Sequence, residues 1–171
     1  MIEENEQKHI IAAIVEHKPG VLYKVSNMFR RRNFNIDSIS VGPIEPKDLA
    51  RMTITVKGDE KVVEQVIKQL AKLLEVIKVS RLDPQRTVQR ELALIKVYSP
   101  DTRSRSDIVN YVNIFRARVV DVSTESLIVE ITGDSEKIDA FLDLMKPFGV
   151  KEIARTGITA LSRGTKSIRI N

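Results

Sequence analysis

Glu16-His17-Lys18-Pro19-Gly20-Val21-Leu22 separates two stretches of opposite periodicity, and its reading decides the fold. Before it, Ile10-Ile11-Ala12-Ala13-Ile14-Val15 is an unbroken apolar run rich in β-branched residues, the pattern of a central strand covered on both faces. After it, Val21, Leu22, Val25, Met28 and Phe29 recur at helical spacing. Pro19 suits the last loop position or the first helical turn, where its missing N–H is no loss, and Gly20 lets the backbone approach a neighbour without a Cβ in the way. Such a junction leaves N–H groups pointing out of the helix start. They and the helix dipole can hold an anion there, an amino-acid carboxylate included. The same residues also serve as a plain strand-to-helix turn, so the rest of the chain has to decide.

Working outward, Lys8 to Glu16 reads as a strand and Val21 to Arg32 as a helix, with Asn33 placed where a helix end wants a left-handed residue. Residues 35–41 alternate Ile36, Ile39 and Val41 with Asp37, Ser38 and Ser40, a strand of mixed exposure. Residues 42–48 form a turn. Residues 50–57 carry Met52, Ile54 and Val56 on one face and Arg51, Thr53, Thr55 and Lys57 on the other, the pattern of a half-exposed strand. Asp59 is a plausible N-cap for a helix whose apolar face is Val62, Val63, Val66, Ile67, Leu70, Leu73 and Leu74. Val76, Ile77 and Val79 mark a fourth strand. The order β-α-β-β-α-β is the ferredoxin-like split arrangement, an antiparallel sheet with two helices on one face. The other face needs cover, usually supplied by a second copy of the same sheet.

The order then repeats. After Asp83-Pro84-Gln85-Arg86, residues 91–98 read as a strand, 103–116 as a helix, 118–122 and 127–132 as two strands, 134–145 as a helix and 150–155 as a last strand. The Gly-Asp pairs at 58–59 and 133–134 head corresponding helices. The expected class is therefore α+β with two tandem ferredoxin-like domains. Residues 1–7 are expected to be a flexible N-terminus, 8–82 the first domain, 83–86 a linker, and 87–171 the second domain with a tail that is an extra strand or a docking arm.

Composition narrows the function. With 42% hydrophobic and 30% charged residues, 171 residues suffice for real cores. No run approaches the roughly 20 apolar residues of a membrane span, and the start, Met1 to Lys8, is polar and acidic rather than a signal peptide, so a cytoplasmic protein is expected. The absence of cysteine removes disulfides, thiolate metal sites and cysteine nucleophiles, and His9 and His17 offer little for a metal cluster. A net charge of +5 is spread among 23 acidic residues. Its densest spot, Arg30-Arg31-Arg32, suits a helix C-terminus and has no aromatics interleaved for base stacking, so nucleic acid is not an expected partner. No nucleophile–base pair, phosphate loop or dinucleotide fingerprint is present, and His17 has no evident acidic or hydroxyl partner in sequence. A chance cation site at Asp134, Glu136 and Asp139 is the one metal grouping to consider.

Taken in order, Pro19-Gly20-Val21-Leu22, Phe29 to Ile39, Arg51-Met52-Thr53-Ile54, Gly58 to Val62, Arg155-Thr156-Gly157 and Leu161-Ser162-Arg163-Gly164 resemble the small regulatory subunit of acetolactate synthase, also called acetohydroxyacid synthase. The resemblance spans nearly the whole chain. It implies that the first domain is an ACT domain and that the chain has no catalytic residues of its own. It implies a catalytic large subunit as partner, holding thiamine diphosphate, Mg and FAD, in branched-chain amino-acid biosynthesis. It further implies activation of that subunit, feedback inhibition by valine, and a homodimer of ACT domains with the effector at its interface. On this resemblance the effector contacts are His17, Pro19, Gly20, Val21 and Leu22 from one chain and Asn35 and Ile36 from the other. The family commonly has Asn where this chain has His17 and Gly where it has Asn33; His17 is bulkier and can carry charge, which bears on effector choice. The alternative is a stand-alone ACT-type sensor controlling another enzyme or transcription, although no helix-turn-helix is visible.

Overall fold

A computed structural model describes residues 7–168. The expected flexible N-terminus lies outside the described residues except for Gln7. The elements run β1 (Gln7–Glu16), α1 (Val21–Arg31), β2 (Ile36–Pro43), β3 (Leu49–Gly58), α2 (Glu60–Leu70), β4 (Val76–Leu82), β5 (Thr87–Tyr98), α3 (Thr102–Ile114), β6 (Arg118–Val122), β7 (Ser126–Gly133), α4 (Ser135–Met145), β8 (Val150–Arg155) and β9 (Thr159–Ser162). The described residues form two compact units, residues 7–88 with 157–168, and residues 89–156.

In the first unit the sheet order is β2-β3-β1-β4, all antiparallel, with β3 and β1 in the middle. Ile11, Ala13 and Val15 of β1 and Met52, Ile54 and Val56 of β3 point to one face, where Val25 and Phe29 of α1 and Val63, Val66 and Leu70 of α2 close the core. The two hydrophobic periods, two along the strands and 3.6 along the helices, converge on one layer. Asn33 adopts φ 55°, and Phe34 N–H donates to Phe29 C=O at 3.0 Å, the six-residue closure of a Schellman cap. The Phe29 and Phe34 rings meet edge-on at 6.3 Å, supplying the apolar contact that goes with this cap.

The second unit repeats the plan in the order β6-β7-β5-β8. Ala93, Ile95 and Val97, Val129 and Ile131 pack under Ile108, Val112, Ile138 and Phe141. Its first helix ends in the same cap: Arg116 takes φ 53° and Ala117 N–H donates to Val112 C=O at 2.8 Å. Glu91, buried on β5, accepts from Ser135 Oγ at the start of α4 and from Arg155 Nε on β8, and Arg155 also donates to Asp139 at 2.6 Å. This network ties three elements of the unit together.

Residues 83–86, the expected linker, hold a short 3-10 turn at Pro84–Arg86, begun by Asp83 accepting from Gln85 N–H at 3.0 Å. The expectation that the tail goes with the second domain is corrected: residues 157–168 pack on the first. Ile158 and Ala160 are buried against Ile10 and Ala12 of β1 and Leu82 of β4, on the sheet face opposite the helices. That face of β3 is accordingly covered rather than half-exposed: Thr53 and Thr55 are both buried. Hydroxyl pairing makes this affordable, with Thr55 Oγ1 2.7 Å from Ser38 Oγ, and Arg51 donates to Ala160 C=O at 2.8 Å.

Candidate functional site

The turn after β1 is fixed by backbone from both sides. Glu16 N–H donates to Glu75 C=O at 2.9 Å, and His17 N–H donates to Asp48 C=O at 2.7 Å. Gly20 then takes φ 85°, a left-handed conformation that L side chains adopt with difficulty, and caps α1. Val21 N–H reaches Lys18 C=O at 3.5 Å, and Lys24 N–H makes the first helical bond to Gly20 C=O at 3.0 Å. No side chain caps this helix start. At α2, α3 and α4 the carboxylates of Asp59, Asp101 and Asp134 accept from Val62, Ser104 and Lys137 N–H at 2.8, 2.9 and 2.9 Å. The first helix alone among the four begins without a carboxylate at its end. A Cβ built on Gly20 meets nothing within 4 Å, so the space beside Gly20 is open.

The expected contact residues divide into two groups. Pro19 and Gly20 are exposed on the turn, Leu22 is 48% exposed in the first helical turn, and Val21 is buried in the core, leaving only its backbone facing outward. His17 is exposed with Nδ1 3.4 Å from Lys47 C=O, so its ring leans toward the loop between β2 and β3. Asn35 and Ile36 are elsewhere. Ile36 pairs with Val56, which pairs with His9, whereas the turn leaves β1 at Glu16, opposite Leu49. From His9 to Glu16 is seven strand positions, about 23 Å at ordinary strand rise. A single chain therefore does not bring Asn35 and Ile36 to the turn. Ile36 opens β2 and Asn35 immediately precedes it; β2 is an edge strand paired only with β3.

Charges flank the turn in pairs. Lys18 bonds to Glu16, which raises the ammonium above its ordinary value, and Lys24 of α1 bonds to Glu75, whose carboxyl is thereby held below the usual range. Among the described residues no three His, Asp or Glu side chains converge as metal ligands would. Of the candidate cation group, Asp134 caps α4 and Asp139 pairs with Arg155.

The sequence reading missed the tail's contact with β2. Gly157 lies so close to Ile39 that a Cβ there would be 2.7 Å from its carbonyl oxygen, Ile158 N–H points to Ser38 Oγ at 3.4 Å, and Thr159 Oγ1 is 3.0 Å from Ser40 Oγ. The visible trace of this in the sequence is Ile158-Thr159-Ala160-Leu161, whose alternation matches the burial of Ile158 and Ala160.

Comparison with known proteins completes the picture. Residues 11–78 match the family described as AHAS small subunit-like ACT domain, and residues 90–164 match the small subunit of acetolactate synthase. A probable acetolactate synthase small subunit of Methanothermobacter thermautotrophicus is 57% identical, covering 98% of this chain and 100% of its own length. The acetolactate synthase small subunit of Mycolicibacterium smegmatis is 50% identical over 94% of each chain. The crystal structure of the acetolactate synthase small subunit from Thermotoga maritima superposes with a TM-score of 0.87 at 47% identity, covering 94% of this chain and 99% of that one.

Proposed function

The chain belongs to the family of acetolactate synthase small subunits, and from that premise we propose that it regulates a separate catalytic subunit by sensing an amino acid with its first domain. What carries this is the uncapped start of α1 at Gly20, where the other three helices place an Asp carboxylate of their own. The carboxylate of a free amino acid would take the equivalent position on α1, bonded to backbone N–H groups and favoured by the helix dipole.

The strand register supports a site shared by two chains. If two copies pair antiparallel along their open β2 edges, the two-fold axis carries Asn35 and Ile36 of each toward the turn of the other. Asn35 then supplies an amide oxygen for the ammonium group and Ile36 an apolar wall for the side chain. A short branched-chain amino acid fits such a wall, and valine is the effector proposed. The catalytic subunit, with thiamine diphosphate, Mg and FAD, is the partner that this chain activates and makes sensitive to valine. For valine to inhibit, it must bind one state of the assembly better than the other.

Isothermal titration of the purified chain with valine, leucine, isoleucine and an unrelated acid tests the reading. Saturable heat selective for branched side chains is expected. Absence of heat both in the free chain and in its complex with a catalytic subunit would overturn it.

A further inference from the structure

Resting on that reading, we infer that Gly157, Ile158 and Thr159 are positioning residues for the effector site, acting through β2. Within one chain β2 has a strand neighbour on one side only, and its other edge is the proposed dimer seam, so its position sets the seam. Its pairing with β3 is also irregular between Ile36 and Ser38, at the step that separates an effector contact from the rest of the strand. Asp37, at that step, is held by Lys8 at 3.0 Å and Lys57 at 3.3 Å. The next three residues are each met by the tail: Ser38 by Ile158, Ile39 by Gly157 and Ser40 by Thr159.

The contact at Ile39 is backbone on backbone, which leaves no flexible side chain to absorb a change. An added methyl at 157 would stand 2.7 Å from the Ile39 oxygen and 2.8 Å from its carbonyl carbon, so either the tail or β2 must move. The tail is anchored beyond this point by burial of Ile158 and Ala160, by Arg51 donating to Ala160 C=O at 2.8 Å, and by Arg163 N–H donating to Arg86 C=O at 2.7 Å. Movement therefore falls on β2, the strand that carries the proposed dimer seam, and the seam shifts with it. Ile36 and Asn35, immediately before the irregular step, move with it.

Gly157→Ala tests this, with Ile138→Ala as the control that loosens packing in the unit holding neither the tail nor β2. Valine affinity by titration, melting temperature and hydrogen exchange of residues 36–43 are measured on each full-length variant. Gly157→Ala is expected to raise the valine Kd tenfold or more and to speed exchange in β2. Ile138→Ala should lower the melting temperature at least as far and leave Kd unchanged. Thr159→Val, which removes only the bond to Ser40, should weaken binding by a smaller factor and serves if Gly157→Ala does not fold. Wild-type Kd in Gly157→Ala, or in Thr159→Val where the former does not fold, overturns the inference while leaving the effector site standing. A wild-type chain that binds no branched-chain amino acid, alone or in complex, overturns the site reading and this inference with it.

Discussion

Glu16 and Ile36 lie at opposite ends of one sheet, Glu16 opposite Leu49 and Ile36 opposite Val56 at the far end of the same β3. A site that uses both neighbourhoods has to be built from two chains. Two defective variants should then repair each other: Gly20→Asp removes the turn half and Asn35→Lys the strand half. Each homodimer should bind no valine. In a mixed dimer one site collects both defects and the other is wild type, so a random 1:1 mixture recovers about a quarter of the wild-type sites. No recovery on mixing would place the whole site within one chain.

Gly20→Asp puts a negative charge where the effector carboxylate belongs, and binding should be lost. The fold should survive, because the added Cβ enters open space and the left-handed conformation costs a non-glycine residue roughly 1–2 kcal/mol. Gly20→Ala carries the same backbone strain without the charge. It should show a similar fall in denaturation midpoint while retaining measurable affinity; equal loss of binding in both variants would point to strain rather than charge.

Acid should weaken the first domain. The hydrogen bond from Lys24 holds Glu75 low, and that from Arg81 holds Glu60 low. Burial pushes Asp37 up, but hydrogen bonds from Lys8 and Lys57 outweigh it and leave it low as well. With the folded values below the unfolded ones, the unfolded chain binds more protons as pH falls. The stabilisation is fully present above the unfolded carboxylate range and is lost on descending through the folded values. Urea midpoints should be level between pH 6 and 7 and drop steadily below about pH 4.5. Glu75→Gln should flatten that drop.

In the second domain Glu91 is 5% exposed and depends on Arg155. Arg155→Ala leaves the buried carboxylate with Ser135 Oγ but without its charge partner and should cost about 3–5 kcal/mol. Adding Glu91→Leu to Arg155→Ala should restore part of that loss, since the stranded charge is then gone. Additive losses in a double-mutant cycle would mean that the pair does not interact energetically.

The framework of this fold is legible in the sequence because its signals are local. Alternation at Met52, Ile54 and Val56, the Gly-Asp pairs ahead of α2 and α4, and Asn33 at a left-handed cap each follow from a few neighbouring residues. The turn at 17–22 was legible for the same reason, whereas the distance separating it from Ile36 appears only once strand register is known. Thr53 and Thr55 read as solvent-facing since hydroxyls usually are; their burial depends on Ser38 and on a tail more than one hundred residues away. No local pattern announces where a tail will lie. Gly157 looks like any loop glycine until Ile39 is placed beside it.

The self-capped helix of the second domain has a consequence for counting. Asp101 occupies the start of α3, the counterpart of α1, and accepts from Ser104 N–H; that bond and others hold its carboxyl below the usual range. On the function proposed above, Asp101 stands where an effector carboxylate would sit in the first domain. A duplicated architecture would suggest two receptors per polypeptide, yet only the first domain leaves the start of its first helix without a side-chain cap. Saturation should come at one effector per chain.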